Sequence, residues 1–172
     1  DNDFEAEHQR GSIWLEVKGA YLDLTGNSYY ALTDSKNYKG TAEEVLSGQT
    51  INLASQIPYA PWANLNLQSY SWENVKASSD TEGYTVSIES YLTPSLALEV
   101  KNDYSDNAAV DDEFTYKLTY NYPPRGDGKS MQDGLSKLAF EKQNMEAKLK
   151  DKVKRDNNIV IEIQGSVIIT SK

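Results

Sequence analysis

Apolar and polar residues alternate along most of the first 122 residues, and the alternation divides into about seven segments. From His8 to Lys18, Ile13, Leu15 and Val17 fall on one face and Glu16 and Lys18 on the other. Residues Tyr21 to Thr33 set Leu22, Leu24, Tyr30 and Leu32 against Asp23, Thr25 and Asn27. Gln49–Ile57 alternates Ile51, Leu53 and Ile57 with Asn52 and Gln56, and Trp62–Asn74 opposes Leu65 and Leu67 to Asn64, Asn66 and Gln68. Gly83–Leu92 places Tyr84, Val86 and Ile88 against Thr85, Ser87 and Glu89, and Leu96–Tyr104 places Leu98 and Val100 against Glu99 and Lys101. In the last segment Phe114, Tyr116, Leu118, Tyr120 and Tyr122 share one face. A period of two predicts strands, because successive side chains of an extended chain point to opposite sides.

The connections are short and long in rotation. Gly19-Ala20, Pro58-Tyr-Ala-Pro61 and Thr93-Pro-Ser95 are tight, whereas Asp34–Ser47, Val75–Glu82 and Ser105–Asp112 are long and polar. In a meander this collects the long loops at one end, as in an outer-membrane barrel with short periplasmic turns and longer extracellular loops. Alternation alone fits either a soluble sheet, whose polar face meets bulk water, or a barrel, whose polar face meets a wet lumen. The loop asymmetry favours the barrel.

Pro123-Pro124 ends strand pairing, since proline has no N–H for a ladder bond. From Ser130 to Val153, Met131, Leu135, Leu138, Met145 and Leu149 recur at helical spacing among Lys and Glu residues, predicting a charged helix with a narrow apolar stripe. Lys129–Arg155 carries eight of the 17 basic residues, which suits a solvated surface helix or one in a polar lumen. Asn157-Asn158 stops the helix, and the β-branched run within Ile159–Thr170 predicts extended chain.

Composition narrows the picture. At 172 residues the chain is sized for one domain, and its net charge of −9 argues against a nucleic-acid partner, which would need a basic surface. Mean hydropathy is −0.65, so no segment approaches a membrane-spanning helix. A spanning strand needs only about 9–11 residues with every second one apolar, so low hydropathy is compatible with a barrel. Twelve tyrosines and three tryptophans supply side chains suited to membrane interfaces. There are no cysteines, hence no disulfides or thiolate metal sites. Asp1-Asn-Asp-Phe-Glu-Ala-Glu has neither the basic start nor the apolar core of a signal peptide, and the chain is expected to be an internal piece of a longer protein.

No catalytic constellation can be assembled, and neither a cofactor nor a metal is expected. His8, the single histidine, lies in an amphipathic strand and is expected to be structural or lumenal. Gly128-Lys129-Ser130 imitates the end of a phosphate loop, but Pro123 stands where the earlier glycine is required. Arg125-Gly126-Asp127 is read as a turn, and Asp111-Asp112 as solvated loop charge.

Three motifs, in matching order and spacing, resemble the C-terminal part of the inverse autotransporter β-domain, the intimin and invasin family. Gln56-Ile-Pro-Tyr-Ala-Pro-Trp-Ala-Asn-Leu65 is similar to a periplasmic turn of that family, and Tyr91-Leu-Thr-Pro-Ser-Leu-Ala-Leu98 to the stretch before its penultimate strand. Val153-Lys-Arg-Asp-Asn-Asn-Ile-Val-Ile-Glu162 resembles the signature that follows its barrel, with Ile163 where a tyrosine is usual.

The resemblance implies an all-β fold: an antiparallel up-and-down transmembrane β-barrel of twelve strands, with residues 1–124 as its C-terminal strands. Residues 125–172 would be a helical, then extended, linker returning through the lumen to a passenger at the cell surface. Phe114, Tyr116, Leu118, Tyr120 and Tyr122 would be the assembly signal of the last strand, and Val153, Arg155, Asn157, Asn158, Ile159, Val160 and Glu162 the linker motif. Implied partners are outer-membrane lipid, the barrel-assembly machinery, periplasmic chaperones and the chain's own adhesin-type passenger, which would bind a receptor. Lys137, Lys148, Lys152 and Arg155 are expected to meet lumenal carboxylates such as Glu16, Glu89, Glu99 and Asp103. The competing readings are a soluble lipocalin-like or open-meander binding domain and a passive pore.

Overall fold

The computed structural model describes residues 2–3, 8–38, 40–77, 79–106, 112–124, 129–143, 145–148, 159–163 and 166–170. All seven alternating segments are strands. The described strands in chain order are β1 (Asn2–Asp3), β2 (His8–Lys18), β3 (Leu22–Ala31), β4 (Lys36–Tyr38), β5 (Thr41–Val45), β6 (Gly48–Ile57), β7 (Ala60–Trp72), β8 (Thr81–Thr93), β9 (Leu96–Ser105), β10 (Glu113–Tyr120), β11 (Ile159–Ile163) and β12 (Ser166–Thr170), the seven segments being β2, β3 and β6 to β10. Eight of these form one sheet in the order β1-β2-β3-β6-β7-β8-β9-β10, every neighbouring pair antiparallel. Among the described residues the sheet does not close, and β1 and β10 are its edges.

Register carries the sequence pattern sideways across this sheet. Val17, Leu24, Leu53, Leu67 and Val86 are successive cross-strand partners on one face. One residue earlier or later in each strand, Glu16, Thr25, Asn52, Gln68, Thr85 and Asp103 form the matching row on the other face. The burial of the two rows is the reverse of a soluble protein's. Thr25 and Asn52 are 2% and 5% exposed, whereas Val17 and Leu24 are 59% and 46% exposed. The polar face is the enclosed one, and its groups bind one another. Asn27 Nδ2 donates to Thr50 Oγ1 at 3.1 Å, Asn66 Nδ2 to Ser87 Oγ at 3.3 Å, and Ser87 Oγ to Glu99 at 2.9 Å. These bonds satisfy polar groups that water cannot reach.

Three expectations are corrected. The long polar stretch 34–47 is not a simple loop, because β4 and β5 lie within it, pair with each other, and join the β11–β12 hairpin through β5 in a second sheet ordered β12-β11-β5-β4. Its Thr41-Ala-Glu-Glu-Val lacks alternating apolar residues and becomes a strand through a distant partner, Ile161 opposite Val45. The continuous helix over 130–153 is replaced, among the described residues, by a 3-10 turn at Met131–Asp133 and a single helical turn, α1 (Met145–Lys148). Gly134 has a φ of 74°, which breaks the helical path, and the backbone groups beyond it bond to the sheet's turns instead of to each other. Finally, β10 ends at Tyr120, so Tyr122 lies outside the last strand. The following prolines cannot extend the ladder, and Asn121 N donates to Ser95 O as the last bond of the hairpin.

Candidate channel and linker site

The tight turns 19–21, 58–59 and 94–95 lie at one end of the large sheet, and the strand ends joined by the long connections, Ala31 and Gly48, Trp72 and Thr81, and Ser105 and Glu113, lie at the other. At the long-connection end, the small sheet is lodged against the polar inner face. Val160 and Val167 pack with Leu46 on an aromatic wall of Tyr29, Tyr70 and Trp72, which project from β3 and β7. Tyr29 and Trp72 rings are 5.3 Å apart, and the Arg10 guanidinium lies 4.3 Å from the Tyr29 centroid and 5.5 Å from that of Trp72. On its opposite face Val45, Ile159 and Ile161 cluster with Ile163. Burial on both faces makes this sheet an insert rather than a lid.

Two acidic contacts fix the insert from opposite sides. His8, fully buried at the start of β2, has Nε2 3.0 Å from Glu43 of β5. The Glu162 carboxylate, also 0% exposed, accepts three consecutive backbone N–H groups of the connection between β7 and β8: Val75 at 2.7 Å, Lys76 at 3.0 and 3.1 Å, and Ala77 at 2.8 Å. Consecutive amides turned to one point form an anion-binding nest. Glu44 stands directly opposite Glu162 across the strands, an arrangement in which like charges repel. Lys76 Nζ lies 2.9 Å from Glu44 and offsets that repulsion.

At the tight-turn end, residues 129–143 and 145–148 strap across the strand ends. Tyr59 N donates to Ala139 O at 2.8 Å, Ser136 N to Tyr59 O at 2.7 Å, Trp62 Nε1 to Gly134 O at 2.8 Å, and Glu141 N to Gln56 Oε1 at 2.8 Å. Lys129, 2.8 Å from Glu141, donates the hydrogen bond that chiefly holds the Glu141 carboxyl below its usual range, aided by Ser136. Lys148 terminates the strap on the inner face: its Nζ is 2.8 Å from Asp23 and donates to Gly19 O at 2.8 Å, while Lys18 Nζ donates to Lys148 O at 2.9 Å.

The chain is therefore at the tight-turn end at Lys148 and at the long-connection end at Ile159, against the same inner face both times. Of the linker-motif residues, Ile159, Val160 and Glu162 are brought to the insert, whereas Val153, Arg155, Asn157 and Asn158 lie outside the described residues. Among the expected basic partners, Lys148 takes Asp23 instead of the carboxylates named from sequence, Lys137 is exposed, and Lys152 and Arg155 lie outside the described residues. Glu16 pairs with Lys18 and Asp103 with Lys101 on their own strands. Phe114, Tyr116, Leu118 and Tyr120 project outward from edge strand β10, and Tyr122 is 85% exposed beyond it. Sequence reasoning missed His8–Glu43 and the nest at 75–77. Only the Glu162 position inside a recognisable motif hinted at the latter.

A sheet with an outward apolar face, an enclosed polar face, and a chain re-entering that face defines a membrane-barrel type of protein. The family model "Inverse autotransporter, beta-domain" matches residues 1–157, and the chain belongs to that family. Membership implies a translocator role at the bacterial outer membrane. A solved structure described under the mechanism of in-meso crystallization of membrane proteins is similar at a TM-score of 0.75, with 18% identity, over 95% of this chain and 70% of that one. That likeness speaks for the fold. No curated protein matches the sequence.

Proposed function

We propose that this chain forms the C-terminal strands of a closed twelve-stranded barrel that anchors and exports an adhesin-type passenger following its linker. Residues 1–124 supply the strands and residues 125–172 the linker. The observation that carries this reading is the return of the chain, which leaves β10 at the tight-turn end and reappears as β11 at the other, against the polar face. With tight turns on the periplasmic side, the last strand delivers the chain inward, and only a second crossing brings anything after it to the surface. The outward apolar row faces lipid, and the exposed β10 edge awaits the remaining strands, since a barrel has no open edges. The outward aromatic series Phe114, Tyr116, Leu118 and Tyr120, extended by Tyr122, is the signal read by the assembly machinery, with chaperones carrying the unfolded chain across the periplasm. Val153, Arg155, Asn157, Asn158, Ile159, Val160 and Glu162 form the linker that ends in the insert, so the lumen is filled and not a passive pore. The test is protease shaving of intact cells expressing the parent protein with an epitope placed directly after Lys172. Cleavage of the epitope while the barrel stays protected in the outer-membrane fraction supports the reading. A protected epitope in a soluble fraction refutes it and favours a soluble binding domain.

A further inference from the structure

We infer that the backbone nest at Val75–Ala77 is a binding site for one occupant, the Glu162 carboxylate, and that its filling sets the register at which the linker stops. This rests on the reading of 125–172 as a linker that moves through the lumen before coming to rest. The contact between β11 and Val45 alone does not specify where to stop. Both faces of β11 are aliphatic around the latch, with Ile159, Val160, Ile161 and Ile163 of similar size and shape. A slide of two residues preserves the inward and outward faces, and at the place of Ile161, opposite Val45, it exchanges one isoleucine for another, Ile159 or Ile163. What a slide cannot preserve is the charge. Glu162 is the only carboxylate in residues 157–172; moving the linker outward by two would bring Val160 to the nest, and moving it inward by two would bring Gln164. Either leaves amide groups that now hold a charged acceptor with an apolar or a weaker partner.

The nest is also positioned to sense the neighbouring strand. Lys76 contributes its amide to Glu162 and its ammonium to Glu44, and these two carboxylates are direct cross-strand partners. One residue of the surface connection thus reads both strands of the β5–β11 pair at the same level. Moved by two residues, the linker would break the amide contact and leave Lys76 with Glu44 alone.

The experiment uses the absence of cysteines in residues 1–172 and the parent protein, with any cysteine outside them replaced by serine, in the outer membrane of cells. Val45 and Ile161 are cross-strand partners, so V45C/I161C reports the observed register, while V45C/I159C and V45C/I163C report slides of two in either direction. With Glu162 intact, oxidation is expected to give the 45–161 disulfide almost exclusively. With E162A or E162K, the ratio of slipped to observed-register disulfide is expected to rise roughly tenfold or more, with E162Q intermediate because its amide oxygen can still accept. Barrel integrity is followed separately by heat-modifiable gel mobility. An unchanged 45–161 preference in both E162A and E162K overturns the latch and assigns register to the aliphatic contacts. Failure of the underlying linker reading gives a different result: an epitope after Lys172 that is inaccessible on cells with Glu162 intact.

Discussion

Replacing Leu53 with arginine puts the inside-out packing to a quantitative test. Leu53 sits in the middle of β6 (Gly48–Ile57), on the outward row that links Leu24 to Leu67. In a lipid-facing position near the bilayer midplane, arginine costs about 2–4 kcal/mol, which corresponds to a shift of about thirtyfold to nearly a thousandfold in the folding equilibrium. The internal control is Gln49→Arg, on the same face of the same strand but four residues nearer the long connections. At roughly 3.3 Å per residue, that is about 13 Å along the strand, where the cost of arginine falls to about 0–1 kcal/mol. If water met this face instead, both substitutions would stay within about 0.5 kcal/mol. The assay is urea unfolding of the membrane-inserted parent protein in lipid vesicles, followed by tryptophan fluorescence. A Leu53→Arg midpoint indistinguishable from that of Gln49→Arg would refute the assignment of the outer face to lipid.

Three further outcomes follow from the described contacts. Lys148→Glu should loosen the strap by about 1–3 kcal/mol, seen as faster proteolysis within residues 134–143, and Asp23→Lys in the same molecule should restore protection. Because the Lys129 hydrogen bond depresses the Glu141 pKa, the contact is fully present above the ordinary glutamate range and is lost as pH falls through the lowered value. Protection of the 129–143 amides, taken relative to their intrinsic exchange rate at each pH, should therefore fall only in that acidic window, and a fall in protection between neutral and mildly alkaline pH would contradict the assignment. Tyr120→Ser combined with Tyr122→Ser should sharply reduce the amount of barrel recovered in the outer membrane, whereas Thr119→Ser, on the inner face of β10, should not.

The large sheet was legible because its signal is local: each strand carries its own period of two, and Ile13, Leu15 and Val17 announce a face without reference to any other strand. That the apolar face is the outward one was legible only through loop asymmetry, since Thr25 and Asn52 look the same in a sequence whether water or a lumen lies beyond them. The small sheet was illegible for the opposite reason. Glu43 and Glu44 read as loop residues, and beyond the short β4 their strand is joined to partners more than a hundred positions away. Helical spacing of Met131, Leu135 and Leu138 misled because periodicity cannot show that Tyr59, Trp62 and Gln56 claim the backbone groups a helix would use internally. Glu162 stood inside a motif, but its partners are backbone amides, which carry no residue-type signal.

The two ends of this sheet are expected to face opposite sides of a membrane, and the chain is expected to visit both after β10. Two variants of the parent protein, each with a single cysteine within residues 1–172 and any cysteine outside them replaced by serine, are the test. Leu138→Cys marks the tight-turn strap, and Val75→Cys marks the long connection; both side chains are exposed, at 64% and 63%. With a membrane-impermeant maleimide on intact cells, Val75→Cys should label at once, and Leu138→Cys only after the outer membrane is permeabilised. Labelling of both on intact cells, or of Leu138→Cys alone, would contradict the account.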